Sequence, residues 1–207
     1  MKKIYLIRHG ETESNRRGIF RGRLDIPLSE TGKKQSESIR EYFKDIDIEI
    51  VFSSPLTRAL ETAETAFGQK LIIKKEELIN NLDLGDWSGV EKESIRKNFP
   101  EKWKIWKKSP EKIKFPNGET LKDVYQRAEL FLNKISKISK ENIAVVSHRS
   151  VIKIILSAAL GIKENYFWKF HLDNASISTL IDSEDRGFTL YNLNYTSHLN
   201  SFIIEWF

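Results

Sequence analysis

Residues 2–8, KKIYLIR, carry the apolar run Ile4, Tyr5, Leu6 and Ile7, with no polar face. Such a run predicts a central strand covered on both sides. Glu49–Phe52 and Asn142–Ser147 (NIAVVS) read as further buried strands, and Leu71–Ile73 is a shorter candidate. Asn174–Asp182 and Phe188–Leu193 read as late edge strands. Elsewhere the apolar period lengthens to that of helices. Ser29 caps one whose face is Ile39, Phe43 and Ile46, with Tyr42 alongside. Ser54 and Pro55 predict the cap and first residue of a second, with Leu56, Ala59, Leu60, Ala63 and Phe67 as its stripe. Thr120 with Asp123 predicts a capping box before the stripe Leu121, Val124, Tyr125, Ala128, Phe131, Leu132 and Ile135. Val151–Leu160 is helical and stops at Gly161.

Between these elements, residues 90–118 change character. The stretch is rich in lysine, holds three prolines and includes Trp103 and Trp106. It reads as a helical lid inserted over a crevice, because it cannot bury much by itself. The 207 residues suit one domain bearing that lid. The formal net charge is +5, but Lys and Glu are mixed along the chain, which suits attraction of small anions more than a nucleic-acid track. Zero cysteines exclude disulfides, thiolate metal sites and a cysteine nucleophile. MKKIYLIRHG has too few apolar residues for a signal peptide, and VIKIILSAAL is too short to span a membrane. A cytoplasmic protein is expected, with no membrane partner.

The chemistry gathers at strand ends. Arg8 and His9 follow the first strand at its carboxyl end, the usual ligand crevice of an open α/β sheet. Arg58 lies off the stripe of its helix, in the first turn, and His148 follows NIAVVS directly. A phosphoryl group in transfer spreads negative charge over its oxygens, so catalysis is mainly positioning plus electrostatic stabilisation. Arg8 and Arg58 are permanently charged forks that match it, and a protonated His148 adds a third donor. The same cations hold the His9 imidazole neutral and free to attack phosphorus. A histidine nucleophile needs no metal or other cofactor, and no metal-ligand spacing is present.

RHGETESN, SSPLTRALETA, LGDWSG and VVSHRSVI, in that order over nearly the whole chain, resemble the histidine phosphatase superfamily, the phosphoglycerate-mutase-like fold. The resemblance implies a three-layer α/β/α sandwich with a mostly parallel central sheet. It implies His9 as the phosphorylated nucleophile, a phosphate pocket of Arg8, Arg58 and His148, and Asn15 beside it. FPEKWKIWKKSP, NGETLKDVYQRAELFL and FWKFHLDNASIS look most like metal-independent phosphoserine phosphatases and α-ribazole phosphatases, which hydrolyse small phosphate monoesters and often form dimers. The apolar tail SHLNSFIIEWF is expected to pack on the domain or on a second subunit.

The chain departs from the family pattern at four positions. Asn81 stands where the family's general acid, a glutamate, precedes Gly85 by four residues. An amide donates no proton to a leaving alkoxide, and loss of such help costs about 10²–10⁴ in rate. Asp83, Glu77 and Asp86 are candidates to replace it. Arg21 replaces a neutral residue before Gly22 and is placed to contact a second anionic group on a substrate. Leu84 stands where the phosphoserine enzymes are expected to have histidine, and Arg149 follows His148 where many members have glycine. A phosphoglycerate mutase and a non-catalytic phosphometabolite-binding protein are the competing functions.

Overall fold

The computed structural model describes residues 1–164 and 166–204. Seven helices, six strands and short 3-10 turns are assigned among them. The strands are β1 (Lys2–Arg8), β2 (Ile50–Ser53), β3 (Ile73–Lys75), β4 (Asn142–Ser147), β5 (Ile177–Ser183) and β6 (Gly187–Tyr195), in the sheet order β3-β2-β4-β1-β5-β6. β1, β2, β3 and β4 run parallel, whereas β5 is antiparallel to both its neighbours. β1 is internal, as its unbroken apolar run requires.

Alternation along the strands divides the interior in two. Ile4 and Leu6 of β1, with Ile143 and Val145 of β4, face the larger core. Tyr5 and Ile7, with Ala144 and Val146, face the other. Helices α2 (Glu30–Tyr42) and α3 (Thr57–Phe67) cover the second face through Ile39, Ala59, Ala63 and Phe67. Helices α6 (Leu121–Ser136) and α7 (Arg149–Ala159) cover the first through Val124, Ala128, Phe131, Ile152 and Ile155. Each buried Leu, Ile or Phe side chain stabilises the fold by about 1.5–3 kcal/mol. The result is the α/β/α sandwich with a mostly parallel sheet.

Residues 90–118 fold as α4 (Lys92–Asn98), α5 (Pro100–Lys108) and a 3-10 turn at Pro110–Lys112. Ile95, Trp106, Ile113 and Phe115 are buried in the same core as the α6 and α7 stripes. Trp87 is buried there too, against Phe20 and Phe115.

Four expectations need correction. The helix expected from Ser54 starts at Thr57 with Leu56 as its cap; the Ser54 hydroxyl is shared between Leu56 N at 3.4 Å and His148 Nε2 at 2.7 Å. Helix α2 ends at Tyr42, so Ile46 packs from the following turn rather than from the helix. β3 begins at Ile73, two residues after the expected start. β5 is not an edge strand; it pairs with β1 and β6, and only β6 lies at the rim. In the tail, Leu199 packs on the second core and Ser201 O accepts from Gln35 Nε2 at 3.2 Å, while residues 205–207 lie outside those described.

Candidate active site

His9 sits where β1 leaves the sheet, and its backbone is locked on several sides. Its N–H donates to Ser147 O at 3.0 Å, and its carbonyl accepts from Ala175 N and Asn174 Nδ2, each at 3.2 Å. Gly10 follows because a Cβ there would lie 2.6 Å from Gly32 O, at the start of α2. That close approach leaves Gly10 O to accept from His9 Nδ1 at 2.7 Å. A carbonyl only accepts, so Nδ1 carries the proton and Nε2 is the basic nitrogen of the neutral ring.

Three guanidiniums surround this imidazole. Arg8 and Arg58 are 1% and 0% exposed, His9 2%. Burial and then the charges of Arg58, Arg8 and Arg21 hold His9 well below the usual histidine pKa. Arg8 is anchored by Leu172 O at 2.8 Å, and Arg58 by Leu24 O at 2.7 Å and Gly22 O at 3.0 Å. Burial, then Arg21, pushes Arg58 down to about 9, so it remains charged at neutral pH.

His148 closes the group from the end of β4, its ring centroid 5.2 Å from that of His9. Burial, Arg58, His9 and Arg21 keep it well below the usual histidine range. The protonated His148 expected from sequence is therefore corrected to a neutral ring at rest; nearby cations and burial both oppose a further positive charge. Its Nδ1 and Arg58 Nε are buried without a hydrogen-bond partner among the described residues. Buried polar atoms are ordinarily paired, so Arg58 Nε, which always carries a proton, is fitted to meet an oxyanion.

One cavity is lined by His9, Arg21, Gly22, Asn81 and His148, together with Lys92, Trp106, Arg149 and Ser150. Five of the site residues expected from sequence, His9, Arg21, Gly22, Asn81 and His148, thus line one cavity, and Arg149 lines it too. Arg21 is positioned because residues 18–20 are stitched to 89–92: Phe20 N donates to Val90 O at 2.9 Å, Gly89 N to Phe20 O at 2.7 Å and Lys92 N to Gly18 O at 3.1 Å. Gly22, at φ +51°, has a Cβ position only 2.4 Å from Ser88 Oγ. Its carbonyl serves both Arg58 and Asn81 Nδ2, the latter at 2.7 Å.

Asn15 is in the short helix α1 (Glu13–Arg16), where its Oδ1 accepts from Thr12 N at 2.9 Å and Thr12 Oγ1 at 2.7 Å. The three carboxylates considered as replacements for the missing acid are engaged elsewhere. Asp83 Oδ1 accepts from Gly85 N at 2.9 Å, Glu77 Oε2 from Asn80 Nδ2 at 3.0 Å and Asp86 Oδ1 from Asn117 Nδ2 at 3.1 Å. His171 pairs with Asp173 at 2.8 Å and His198 stacks on Tyr195; neither lines the cavity.

Several supports escaped the sequence reading. Ser54 holds His148, Thr62 Oγ1 accepts from Gly10 N at 3.0 Å, and Asn174 braces the His9 turn. Arg127 of α6 clamps the Asn81 loop by donating to Leu78 O at 2.7 Å and Asn81 O at 3.2 Å while paired with Glu119 at 3.2 Å. Asn174 lies in the motif-bearing stretch FWKFHLDNASIS, which was a usable signal; Arg127, a polar residue beside an apolar stripe, carried none.

Among the described residues no group of three or more His, Cys, Asp or Glu side chains could hold a metal ion, and no helix is long and apolar enough to cross a membrane.

Residues 4–196 match the model of the histidine phosphatase superfamily, branch 1. Phosphoserine phosphatase 1 of Hydrogenobacter thermophilus is 38% identical over 99% of this chain and 98% of its own length. The adenosylcobalamin/alpha-ribazole phosphatase of Escherichia coli is 28% identical over 93% of this chain and 95% of its own. A crystal structure of a phosphoserine phosphatase mutant from Entamoeba histolytica, in complex with phosphoserine, superposes with a TM-score of 0.84 at 30% identity, covering 96% of this chain and 100% of that one. With fold, strand-end histidines and relatives in agreement along nearly its whole length, this chain belongs to branch 1 of the histidine phosphatase superfamily and is a phosphoric monoester hydrolase.

Proposed function

We propose that the protein hydrolyses a small phosphorylated metabolite, of the phosphoserine or α-ribazole phosphate type, through a phosphohistidine at His9 and without a metal. The observation that carries this is the His9 Nδ1 to Gly10 O hydrogen bond in the field of the buried guanidiniums of Arg58 and Arg8. It fixes the tautomer, leaves Nε2 with a lone pair, and supplies charge where phosphoryl oxygens would sit. Nε2 attacks phosphorus while Arg8, Arg58 and the Nδ1 side of His148 stabilise the equatorial oxygens; the ester P–O bond breaks, its electron pair stays on the departing oxygen, and that oxygen takes its proton from solvent. Water then cleaves the P–N bond and frees phosphate. Asn81 lines the leaving-group side and orients the substrate through its amide, and Arg21 meets a second anionic group.

The relatives named as phosphoserine and alpha-ribazole phosphatases support this substrate class. A single domain with residues 90–118 as its lid accords with Lys92 and Trp106 lining the cavity. Homodimeric assembly and a cytoplasmic location complete the proposal. The test is p-nitrophenyl phosphate, whose phenolate departs without protonation. Hydrolysis should persist in chelator and vanish in His9→Ala; no turnover would favour the phosphometabolite-binding alternative. Conversion of 3-phosphoglycerate that depends on a bisphosphate primer would favour the mutase instead.

A further inference from the structure

We propose that the same site also cleaves terminal phosphoanhydrides, with a phosphate anion as the leaving group. This rests on the phosphohistidine reading above and extends it to a second substrate class. Release of an alkoxide needs a proton at the departing oxygen, and lack of a donor slows the step about 10²–10⁴-fold. At that position the cavity presents Asn81, whose amide is fixed by its 2.7 Å donation to Gly22 O. Asp83, Glu77 and Asp86 are committed to Gly85 N, Asn80 and Asn117. Among the described residues lining the cavity there is no aspartate or glutamate.

The wall offers cations instead. Arg21 comes from the loop after α1, Lys92 from the first turn of α4 and Arg149 from the first turn of α7, so three separate elements bring positive charge to one opening. A guanidinium stabilises an oxyanion while keeping its own proton. Such a wall favours a leaving group that departs as an anion and carries further charge. A phosphate leaving group meets both demands, since its second ionisation lies near neutrality, at about 6 for a phosphate ester.

The step balances without an added donor. His9 Nε2 forms a bond to the terminal phosphorus, the bridging P–O bond breaks, and its electron pair stays on the departing phosphate oxygen. Water then attacks the phosphohistidine phosphorus, the P–N pair returns to Nε2, and both water protons leave on dihydrogen phosphate, which loses one to solvent.

The test is phosphate release from ADP, pyrophosphate, p-nitrophenyl phosphate and phosphoserine by the purified protein in chelator-treated buffer. The better of the two anhydrides should exceed phosphoserine in kcat/KM by about 10²-fold or more, with AMP as the co-product from ADP. Phosphoserine equal to or faster than both anhydrides, with p-nitrophenyl phosphate still hydrolysed, would overturn this inference and leave the phosphohistidine reading intact. No hydrolysis of any of the four would overturn both. In Asn81→Glu the anhydride-to-phosphoserine ratio should narrow at least about tenfold, as a restored acid speeds only the alkyl ester. An unchanged ratio would overturn the inference, and because both rates come from one preparation the ratio is independent of the folded fraction.

Discussion

Replacing Gly22 by alanine strikes the backbone group on which Arg58 and Asn81 converge. Gly22 has φ +51°, and an added Cβ would lie 2.4 Å from Ser88 Oγ and 3.3 Å from Leu84 Cβ. The left-handed backbone costs an L residue about 1–2 kcal/mol. Overpacking costs about 1–3 kcal/mol, and the lower end applies because a serine hydroxyl can turn aside. Gly22→Ala should therefore lose about 2–3 kcal/mol, read as a lower urea midpoint at unchanged slope. Adding Ser88→Ala removes the closest atom and should recover about 1 kcal/mol, the steric share, while the backbone share remains. Displacing the carbonyl also loosens the Arg58 and Asn81 contacts at 3.0 and 2.7 Å. A hydrogen bond to a charged group is worth about 1.5–3 kcal/mol, so kcat/KM should fall about 10- to 100-fold under conditions where the variant is folded. A Gly22→Ala protein with wild-type midpoint and wild-type kcat/KM would refute the reasoning.

Three further outcomes follow from the geometry. Ser54→Ala removes the partner of His148 Nε2, and should cost about 1–3 kcal/mol and lower kcat without a matching rise in KM, by urea titration and steady-state kinetics. His9 and His148 both lie well below the usual histidine pKa, through burial first and Arg58 next. The unfolded chain then binds more protons than the native one once pH drops through the unfolded value of about 6.5, so stability is level above it and falls below it, by up to about 1.4 kcal/mol per pH unit for each histidine. Urea midpoints between pH 7.5 and 5.5 should show this, with a shallower fall in His9→Asn. Arg127→Ala breaks a largely buried pair with Glu119 and frees two loop carbonyls, so a loss of about 3 kcal/mol is expected together with reduced turnover, measured on the same samples.

The sheet centre was legible because a strand buried on both faces leaves no polar position, as at Ile4–Ile7 and Ile143–Val146. The α6 stripe was legible for a similar reason; six of its seven positions are buried, and Tyr125 is only partly so. The helix start at Ser54 was misread because its hydroxyl is shared between a local partner, Leu56 N, and a tertiary one, His148 Nε2, while the helix itself begins after Leu56. β5, ISTLIDS, is held between β1 and β6, a pairing that sequence pattern does not encode. At the site, residues on strand ends were readable, since chain direction alone brings Arg8, His9 and His148 to one crevice. Arg127 meets Asn81 across 46 positions of the chain, Asn174 meets His9 across 165, and Lys92 comes to the cavity from the lid, all through contacts that only the folded molecule defines. The charge state of His148 was misjudged for the same reason, as burial and its neighbours' charges are tertiary facts.

Turnover rests on one nitrogen, His9 Nε2. Mixing the protein with radiolabelled substrate, quenching in alkali within a turnover and mapping the label by peptide mass spectrometry addresses it directly. An acid-labile, alkali-stable phosphate on the peptide holding His9, absent in His9→Ala, is the expected result. Label on His148 or on a serine, or turnover with no labelled protein at any time point, would contradict it.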